Sequence, residues 1–406
     1  MRNGTVIRWL QQLHEKYGDA VRVNPTEVSF ISGETAWQDI YGVRTGKHKT
    51  GAYLKDRTWY LPPPNGAWSL LGADEEDHAR MRRSISHAFS DKALREQEGV
   101  IQGFVDLLVQ RLNDQLDEGK GAVDLTRWYN FTTFDIITDL TFGESVYCLR
   151  DKEYHPWVSV VFGALRLLGF LAAQRKSALF FYRDRLFKWL FSGTDMAKAG
   201  FELRKSFWAN TAQKMTDRLE KGSHRPDFIS HILANQSSKE KSMSREEIDS
   251  NSVLFLVAGS ETSATLLSGL TFLLCSDERC YRKLVQEVRG RFESQGEITI
   301  KAVSELDYLG ACLQEALRYY PPVPTGFPRI VPSGGDMISG RYIPEGVSPK
   351  SATFGTKLFA KSVGRRQSMF LNTRRIAQPA IIRIQTSSFQ SAGSGMRGTK
   401  MTTGLH

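Results

Sequence analysis

One segment constrains the fold of this chain more than any other. It reads LFLVAGSETSATLLSGLTFLL over residues 254–274 and holds a single acidic side chain, Glu261, in a run of apolar and small residues. About 20 such residues are long enough to cross a bilayer, but a central carboxylate costs roughly 2.5 to 3.5 kcal/mol on insertion, which disfavours a membrane span. We therefore expect either a buried structural helix or a helix that passes a reaction centre.

The start of this helix is marked by the residues upstream. Ser244 is followed three residues later by Glu247, which is the spacing of a capping box. A helix that begins there and continues past Ser268 has about 30 residues and is about 45 Å long. That length predicts the central helix of a large domain.

The unusual residues of this helix lie close together. Gly259 costs about 1 kcal/mol relative to alanine, and it allows a flat group to approach the backbone. The hydroxyls of Thr262 and Ser263 can bond to the carbonyls four residues earlier, which bends a helix and opens its ladder. The pattern predicts a groove beside Glu261. A core helix with a chance glycine and a surface glutamate is an equally good interpretation of the pattern taken alone.

Charge is unevenly distributed along the 406 residues. The net charge is +10, and all of the excess lies in residues 348–406, which hold ten Lys or Arg and no Asp or Glu. This basic tail has no sustained helical or strand period, which predicts disorder. It also lacks clustered basic runs and interleaved aromatic residues, so no nucleic-acid partner is expected.

The length and the cysteines set further bounds. A chain of 406 residues can form one large domain or two or three smaller ones. Cys148, Cys275, Cys280 and Cys312 form neither CxxC pairs nor a zinc-type set with histidines. No disulfide framework or metal site is therefore indicated, and a reducing compartment is the default.

Hydrophobic periodicity predicts a mainly α fold with a small β-sheet. Helical patterns occupy residues 7–17, 77–89, 96–116, 129–142, 201–221, 246–274, 277–293 and 308–320. Strand patterns occupy residues 20–24, 27–31, 327–331 and 336–343.

Two segments bear on membrane contact. The N-terminal residues 1–19 follow an amphipathic helix pattern and lack the apolar core of a signal peptide or anchor. Residues 157–191 combine an apolar stretch, interrupted by Arg166, with the aromatic and basic run FFYRDRLFKWLF. This second segment is compatible with a surface that touches lipid or apolar ligands, and equally with two packed amphipathic helices.

Three short motifs carry possible chemistry. His78 and Arg82 are spaced i and i+4 on a predicted helix, so they share a face and could clamp the carboxylates of a ligand; a solvated basic face is the alternative. Glu315 and Arg318 are spaced i and i+3, as in many ordinary surface bridges. Arg329 follows on an extended, proline-rich stretch and could reach the same ligand as His78 and Arg82.

The order of these motifs resembles the cytochrome P-450 family. HxxxR precedes an FS dipeptide, AGSET lies in a long helix, and ExxR is followed by YPPVP and PR, over residues 10–347. The segments DHARMRRSISHAFSDKALREQE and TTFDIITDLTFGES are most similar to filamentous-fungal members of secondary metabolism, including trichothecene-pathway hydroxylases. The resemblance implies haem, and a monooxygenase that hydroxylates or epoxidises an apolar secondary metabolite. It also implies electrons from NADPH-cytochrome P-450 reductase.

The resemblance assigns cofactor-binding roles residue by residue. His78, Arg82 and Arg329 are expected to bind the haem propionates. Ala258 and Gly259 are expected to line the groove in which dioxygen is held. Intact relatives are expected on the cytoplasmic face of the endoplasmic reticulum membrane. This chain shows no N-terminal anchor pattern, so a cytoplasmic location is the alternative expectation.

The resemblance also assigns catalytic and structural roles. Glu261 and Thr262 are expected to relay protons to the reacting dioxygen. Glu315 and Arg318 are expected to form a structural pair beneath the haem-binding region. The acid in the middle of the apolar helix is then explained, because a proton has to be delivered inside a pocket that excludes water.

The resemblance stops after Tyr342-Ile343-Pro344-Glu345-Gly346. No cysteine follows Cys312, which itself lies in the ExxR helix, so the thiolate ligand of iron is missing from the sequence. We expect residues 1–347 to be an incomplete cytochrome P-450 domain, without the C-terminal cysteine-loop region. We expect residues 348–406 to be an aberrant tail produced by truncation or a frame shift. Such a protein would be inactive as translated, and a non-catalytic pseudo-enzyme or gene remnant is the alternative.

Overall fold

The computed structural model of the chain describes residues 6–32, 35–42, 53–60, 62–119, 122–163, 195–222, 225–237, 241–351, 382–385 and 400–403. Helices form most of this part of the chain, and each of the eight predicted helical segments is helical. In chain order the helices are α1 Val6–Tyr17, α2 Ala36–Tyr41, α3 Glu75–Ile85, α4 Asp91–Asp117, α5 Leu125–Phe142, α6 Cys148–Asp151, α7 Asp195–Glu220, α8 Phe228–Ala234, α9 Arg245–Ser276, α10 Glu278–Arg291, α11 Ile300–Ser304 and α12 Asp307–Tyr319.

Helices α4 and α5 begin several residues earlier than the apolar pattern predicts, and the capping residues explain why. The Ser90 hydroxyl accepts a bond from the backbone N–H of Ala93 at 3.2 Å, so α4 begins at Asp91. The Asp124 carboxylate accepts from the N–H of Arg127 at 3.3 Å and starts α5 in the same way. A cap satisfies N–H groups that the first turn leaves unpaired, and therefore it sets the boundary more sharply than hydrophobic periodicity does.

The long helix α9 has the predicted start and length. Its first turn carries the capping box, in which Ser244 and Glu247 exchange side-chain and backbone bonds, and it continues for 32 residues. It contacts α5 most extensively and also touches α7, α10 and α12. Of the helices within the described ranges, α9 is the one whose length and composition would permit a membrane crossing.

The largest core cluster forms between α5 and α9. Phe131, Phe134 and Leu140 of α5 are buried in it together with Phe255 and Leu256 of α9. The contact of these two helices fixes the central part of α9, which carries the AGSET motif, against a rigid neighbour.

Strands form small sheets. They are β1 Ala20–Asn24, β2 Glu27–Phe30, β3 Leu54–Lys55, β4 Arg329–Ile330, β5 Asp336–Ile338, β6 Arg341–Ile343, β7 Ser348–Ser351, β8 Ile382–Gln385 and β9 Lys400–Thr403. The strand order β1-β2-β7 makes a three-stranded sheet, in which β2 is antiparallel to β1 and parallel to β7. The pairs β3 with β4, β5 with β6, and β8 with β9 are antiparallel. The fold is mainly α with small sheets, as predicted.

One predicted strand is wrong in detail. Residues 336–343 form a hairpin of β5 and β6 and not a single strand. Ser339 and Gly340 both have positive φ angles, 50° and 72°, which is the conformation of a two-residue hairpin turn. The alternating pattern continues across the turn and conceals it.

Regular structure continues past residue 347. Strand β7 pairs with β2, and Lys350 forms an ion pair with the buried Glu27. Strands β8 and β9 also fall in the segment predicted as an aberrant tail. The remaining residues of that segment, and residues 164–194 of the predicted lipid-facing or ligand-facing surface, lie outside the described residues.

Candidate cofactor site

Helix α3 presents two of the predicted ligand-binding side chains. Asp74 caps the helix by accepting from the N–H of Asp77 at 3.2 Å, which fixes the rotation of its first turn. His78 is half-buried, and Arg82, one turn later, is exposed. Their i, i+4 spacing puts both on one face, as predicted.

Two short strands bring a third predicted residue to the same place. Arg329 on β4 is the register partner of Lys55 on β3. Side chains of directly opposed residues share one face of an antiparallel pair, so Lys55 and Arg329 lie side by side. Arg57 lies in the turn two residues after Lys55, and its charge acts on that ammonium group.

Electrostatic interactions show that these basic groups form one cluster. Burial lowers the pKa of the His78 imidazole, and the positive charges of Lys55, Arg82 and Arg329 lower it further. Burial also lowers the pKa of the Lys55 ammonium to about 8, with added repulsion from Arg329 and Arg57 that Asp74 only partly offsets. We call Lys55, Arg57, His78, Arg82 and Arg329 the cationic cluster.

The cluster contains an unsatisfied donor. The Nε atom of Arg329 is buried and has no hydrogen-bond partner in the described structure. Buried polar groups are nearly always paired, so an isolated guanidinium N–H of this kind points to an anionic or polar ligand. Sequence reasoning found His78, Arg82 and Arg329 but missed Lys55 and Arg57. Lys55 lies on a strand of two residues, which is too short to be predicted, and Arg57 lies in the turn after it.

Hydrogen bonds connect the cationic cluster to α9. Lys55 donates from Nζ to the Leu70 carbonyl at 2.9 Å, and the Leu70 N–H donates to Oδ1 of Asn251 at 2.9 Å. Asn251 is fully buried on α9. It precedes Ala258 by seven residues, which is about 10 Å along the helix axis. The cluster is therefore fixed at a set distance from the AGSET motif.

The AGSET residues differ in their surroundings. Ala258 is exposed, and the Thr262 hydroxyl donates to the Ala258 carbonyl at 2.5 Å, the local bond that was predicted. Gly259 faces α5, where a Cβ atom would lie 2.6 Å from Cδ1 of Ile137. Glu261 is half-buried, and its charge contributes to raising the pKa of Tyr154 to about 12, an effect caused mainly by burial.

Glu315 and Arg318 form the predicted pair on α12. Two parallel bonds join them: Arg318 Nε donates to one carboxylate oxygen at 2.8 Å, and its terminal nitrogen donates to the other at 2.7 Å. Both side chains are largely buried, at 15% and 22% exposure for Glu315 and Arg318 respectively. The Glu315 carboxylate raises the pKa of the Arg318 guanidinium.

The four cysteines, all within the described residues, form no disulfide bond; three are buried and Cys275 is partly buried. Burial raises the pKa of Cys148 and of Cys312 to about 12, and it also raises the pKa of Cys275 and Cys280. A raised pKa keeps a thiol neutral, and only the thiolate is a good metal ligand. Within the part of the chain that the structure describes, no group of three or more His, Cys, Asp or Glu side chains could hold a metal ion.

Comparison with known proteins assigns the fold. A family model described as Cytochrome P-450 matches residues 2–348. The chain belongs to the cytochrome P-450 family. The match covers all the predicted site residues and ends at the first residue of β7.

Two fungal cytochrome P-450 monooxygenases are similar to the chain over most of its length. The chain is 50% identical to cytochrome P-450 monooxygenase lcsI of Purpureocillium lilacinum over 347 residues, which is 85% of this chain and 65% of that protein. It is 47% identical to cytochrome P-450 monooxygenase traB of Penicillium crustosum, over 85% of this chain and 67% of the relative. It thus spans about two thirds of the length of these relatives.

A more distant match reaches further along the chain. Averantin hydroxylase of Dothistroma septosporum is 36% identical over 395 residues, which is 97% of this chain and 71% of that protein. This alignment extends into the basic tail, whereas the family model ends at residue 348.

The residues present fit one part of a haem group and not another. The cationic cluster and the isolated Nε of Arg329 suit the two carboxylates at the edge of the porphyrin. No described cysteine suits the iron, because each thiol has a raised pKa, and none follows Cys312 in the sequence.

Proposed function

We propose that this chain provides the haem pocket of a cytochrome P-450 monooxygenase. In such an enzyme one oxygen atom of dioxygen is inserted into an apolar small molecule of secondary metabolism, by hydroxylation or epoxidation. The observation that carries the proposal is the cationic cluster with its unpaired Arg329 Nε, held by hydrogen bonds at a set distance from AGSET. The monooxygenase names of the relatives lcsI and traB support it.

The proposed haem-binding residues lie in the cationic cluster and on α9. His78, Arg82 and Arg329 would hold the porphyrin carboxylates through charge-assisted hydrogen bonds. Ala258, exposed on α9, would face the ring, and Gly259 would allow α9 to lie close to α5 behind it. Bound haem supplies the activation of dioxygen, which side chains alone cannot perform.

Thr262 and Glu261 are suited to hold and deliver a proton. The Thr262 hydroxyl already donates its hydrogen to the Ala258 carbonyl, so its oxygen keeps two lone pairs that can accept from a water or a substrate hydroxyl. Glu261, the adjacent residue, is a half-buried acid in an apolar helix. We propose that it supplies the proton that Thr262 positions.

Partners and location follow from the same proposal. Electrons would come from NADPH-cytochrome P-450 reductase, and the substrate would be an apolar secondary metabolite. The protein would work on the cytoplasmic face of the endoplasmic reticulum membrane. No role for nucleic acid is proposed.

The 406 residues by themselves are proposed to lack monooxygenase activity. Thiolate ligation gives the iron the electron density that favours O–O cleavage. The four cysteines are neutral thiols, and none follows Cys312. A non-catalytic pseudo-enzyme, or a gene remnant, that still binds a haem-like ligand through the cationic cluster is the second candidate.

Haem titration of the full chain tests the pocket. We expect saturable haemin binding that weakens about tenfold or more in Arg329→Met and in Arg82→Met, because each loses a charge-assisted bond. The control Arg83→Met changes the next residue of α3 and should bind as the wild type does. Equal binding by all four proteins would refute the proposed pocket.

A spectrum decides between the enzyme and the pseudo-enzyme for this chain. The reduced, CO-treated haem complex should lack the absorption band of thiolate-ligated haem. Appearance of that band would show that one of the four cysteines does ligate the iron.

A further inference from the structure

We propose that Lys55 is a further cation of the porphyrin site, which binds one carboxylate of the haem beside Arg329. Neither the HxxxR motif nor the PR dipeptide points to this residue. The inference rests on the proposed haem pocket, and the experiment below separates the two.

The position of Lys55 is fixed by the sheet. It is the register partner of Arg329, so its side chain leaves the same face of the β3 and β4 pair as the guanidinium with the unpaired Nε. The Lys55 ammonium has three N–H donors, and one of them bonds to the Leu70 carbonyl at 2.9 Å. Two donors remain for a carboxylate that reaches Arg329.

The neighbouring cation Arg57 is more fully committed. Its terminal nitrogen donates to the Gly72 carbonyl at 2.5 Å, and its guanidinium lies 4.1 Å from the centre of the Trp68 ring. Arg57 therefore fastens the loop before α3 both by this hydrogen bond and by its contact with the Trp68 ring, whereas Lys55 makes a single hydrogen bond to that loop.

The cluster has more positive charge than the acids around it balance. Asp74, at the start of α3, is the acid that favours a charged Lys55. Asp56 lies between Lys55 and Arg57 in the chain, but it is directed to Ser348 and Thr58, which donate to its two carboxylate oxygens. Grouped like charges destabilise a fold, and a bound dicarboxylate offsets that cost by supplying the missing negative charge.

The same environment makes the charge of Lys55 conditional on the ligand. Burial and the neighbouring cations lower its pKa to about 8, so the free protein loses this charge as the pH rises through 8. A carboxylate beside Lys55 favours the ammonium form, so binding above pH 8 must take up a proton. The charged and titratable groups that act on Lys55, or on which it acts, are Arg57 just after β3, Arg329 on β4, Asp74 at the cap of α3, and His78 on α3.

The neighbouring groups with a shifted pKa, His78 and Tyr60, do not imitate Lys55 above pH 8. The pKa of His78 is lowered from 6.5 and lies on the acidic side of the window. Tyr60, next to Arg329 and Arg57, has a pKa raised well above its usual value by burial. A decrease in porphyrin affinity that begins near pH 8 is therefore the signature of Lys55.

The experiment uses metal-free protoporphyrin IX, which has both carboxylates but needs no iron ligand. Fluorescence titration of the full chain gives the dissociation constant between pH 6 and pH 10 for the wild type, Lys55→Met, Lys55→Arg and the control Lys92→Met. Lys92 is a surface residue of α4 whose side chain is 84% exposed. Protoporphyrin IX dimethyl ester, titrated in parallel, measures binding that does not depend on carboxylates.

We expect Lys55→Met to bind the diacid about tenfold more weakly than the wild type at pH 7, and the ester equally well. Above pH 8 the wild type should lose affinity by at most about tenfold per pH unit. Lys55→Arg should retain wild-type affinity at pH 7 and lose this pH dependence, because a guanidinium stays charged. Lys92→Met should behave as the wild type.

Two results would overturn the inference in distinguishable ways. Wild-type binding of the diacid with no change in Lys55→Met and no decrease above pH 8 would remove Lys55 from the site and leave the pocket intact. Failure of the wild type to bind either porphyrin would refute the pocket together with this role for Lys55. Thermal unfolding of each variant identifies any loss that comes from misfolding, and recovery in Lys55→Arg confirms the charge.

Discussion

Ile137 occupies the space that a side chain on Gly259 would need. A Cβ atom on this glycine would lie 2.6 Å from Cδ1 and 2.8 Å from Cγ1 of Ile137. The glycine of AGSET therefore lets α5 and α9 approach each other in the centre of the largest core cluster. Its absent side chain serves helix packing on the α5 side.

Gly259→Ala should destabilise the protein by about 1 to 3 kcal/mol, because overpacking outweighs the gain in helix propensity. Adding Ile137→Ala, which removes both crowding atoms, should make the glycine substitution much less costly in the double variant. Urea unfolding of the two single variants and the double variant measures the coupling free energy. Strict additivity would mean that the two residues do not compete for space.

Gly103→Ala is the matched control for this prediction. Gly103 lies inside α4, and apart from its chain neighbours and the nearby backbone of its own helix, no described atom is within 4 Å of the position that its Cβ would take. Alanine there should stabilise the protein by about 0.5 to 1 kcal/mol through helix propensity alone. A loss of stability at Gly103 would show that crowding is not what distinguishes the two glycines.

A buried ion pair joins the end of α7 to the start of α8. Arg218 donates to both oxygens of Asp227, at 2.8 and 2.9 Å, and the two side chains are 2% and 0% exposed. Arg218→Met should cost about 3 to 5 kcal/mol in urea unfolding, because it leaves the Asp227 carboxylate buried without its counter-ion.

The exposed pair nearby gives the comparison for Arg218. Lys221 and Glu144 are 3.4 Å apart and both about half exposed, at 57% and 47%. Lys221→Met should therefore change the unfolding free energy by no more than about 0.5 kcal/mol. Similar effects at Arg218 and Lys221 would contradict the view that burial determines the cost.

Local signals were sufficient for much of the fold and for part of the site. The capping box at Ser244 predicted where α9 begins, and the i, i+4 spacing of His78 and Arg82 predicted their common face, since both depend on neighbours within one turn. Non-local pairing could not be predicted in the same way. Lys55 joins the site only because its two-residue strand pairs with Arg329, which is 274 positions away in the sequence.

The AGSET motif shows the same difference between local contacts, which can be predicted from the sequence, and non-local ones, which cannot. The back-bond from Thr262 to Ala258 is a property of one helical turn, and it was predicted from the sequence. Which neighbour meets Gly259 depends on the rotation of α9 against α5, which many distant apolar contacts determine together. The Ser339-Gly340 turn was missed for a simpler reason, because alternation on both sides of it imitates one strand.

His14 makes stability depend on pH. It is almost fully buried, and its ring nitrogens bond to the Gly18 carbonyl and the Ser29 hydroxyl, both at 2.9 Å. Burial lowers the pKa of this imidazole from 6.5. The folded state therefore favours the neutral ring, and this contribution is complete above pH 6.5 and is lost as the pH falls through 6.5 towards the lowered value.

His14→Gln should flatten the decrease in unfolding free energy between pH 7 and pH 5, by at most about 1.4 kcal/mol per pH unit. Above pH 7 the difference between the two proteins should be constant, because the ring is neutral in both the folded and the unfolded chain. Urea unfolding at pH 8, 7, 6 and 5 provides the test. Parallel curves over the whole range would show that His14 does not take part.

Glu315 and Thr262 should affect different properties of the chain. Glu315 forms two bonds to the largely buried Arg318, so Glu315→Ala leaves a guanidinium without its partner and should cost about 3 kcal/mol of stability. A loss of that size is a large fraction of a domain's total stability. We expect less folded protein and a correspondingly smaller capacity for protoporphyrin IX at 37 °C.

Thr262→Ala removes only the local bond to the Ala258 carbonyl and should cost less than about 1 kcal/mol. Its capacity for protoporphyrin IX, and its affinity, should stay within about twofold of the wild type, because the hydroxyl is proposed to act on a proton and not on the carboxylates. Glu315→Gln, which can keep one of the two bonds, should fall between Glu315→Ala and the wild type. Urea unfolding and porphyrin titration of the three variants test both roles. A Glu315→Ala protein as stable as the wild type would show that the supporting role belongs to another residue. A Thr262→Ala protein that no longer binds porphyrin would show that the proton-handling role belongs to another residue.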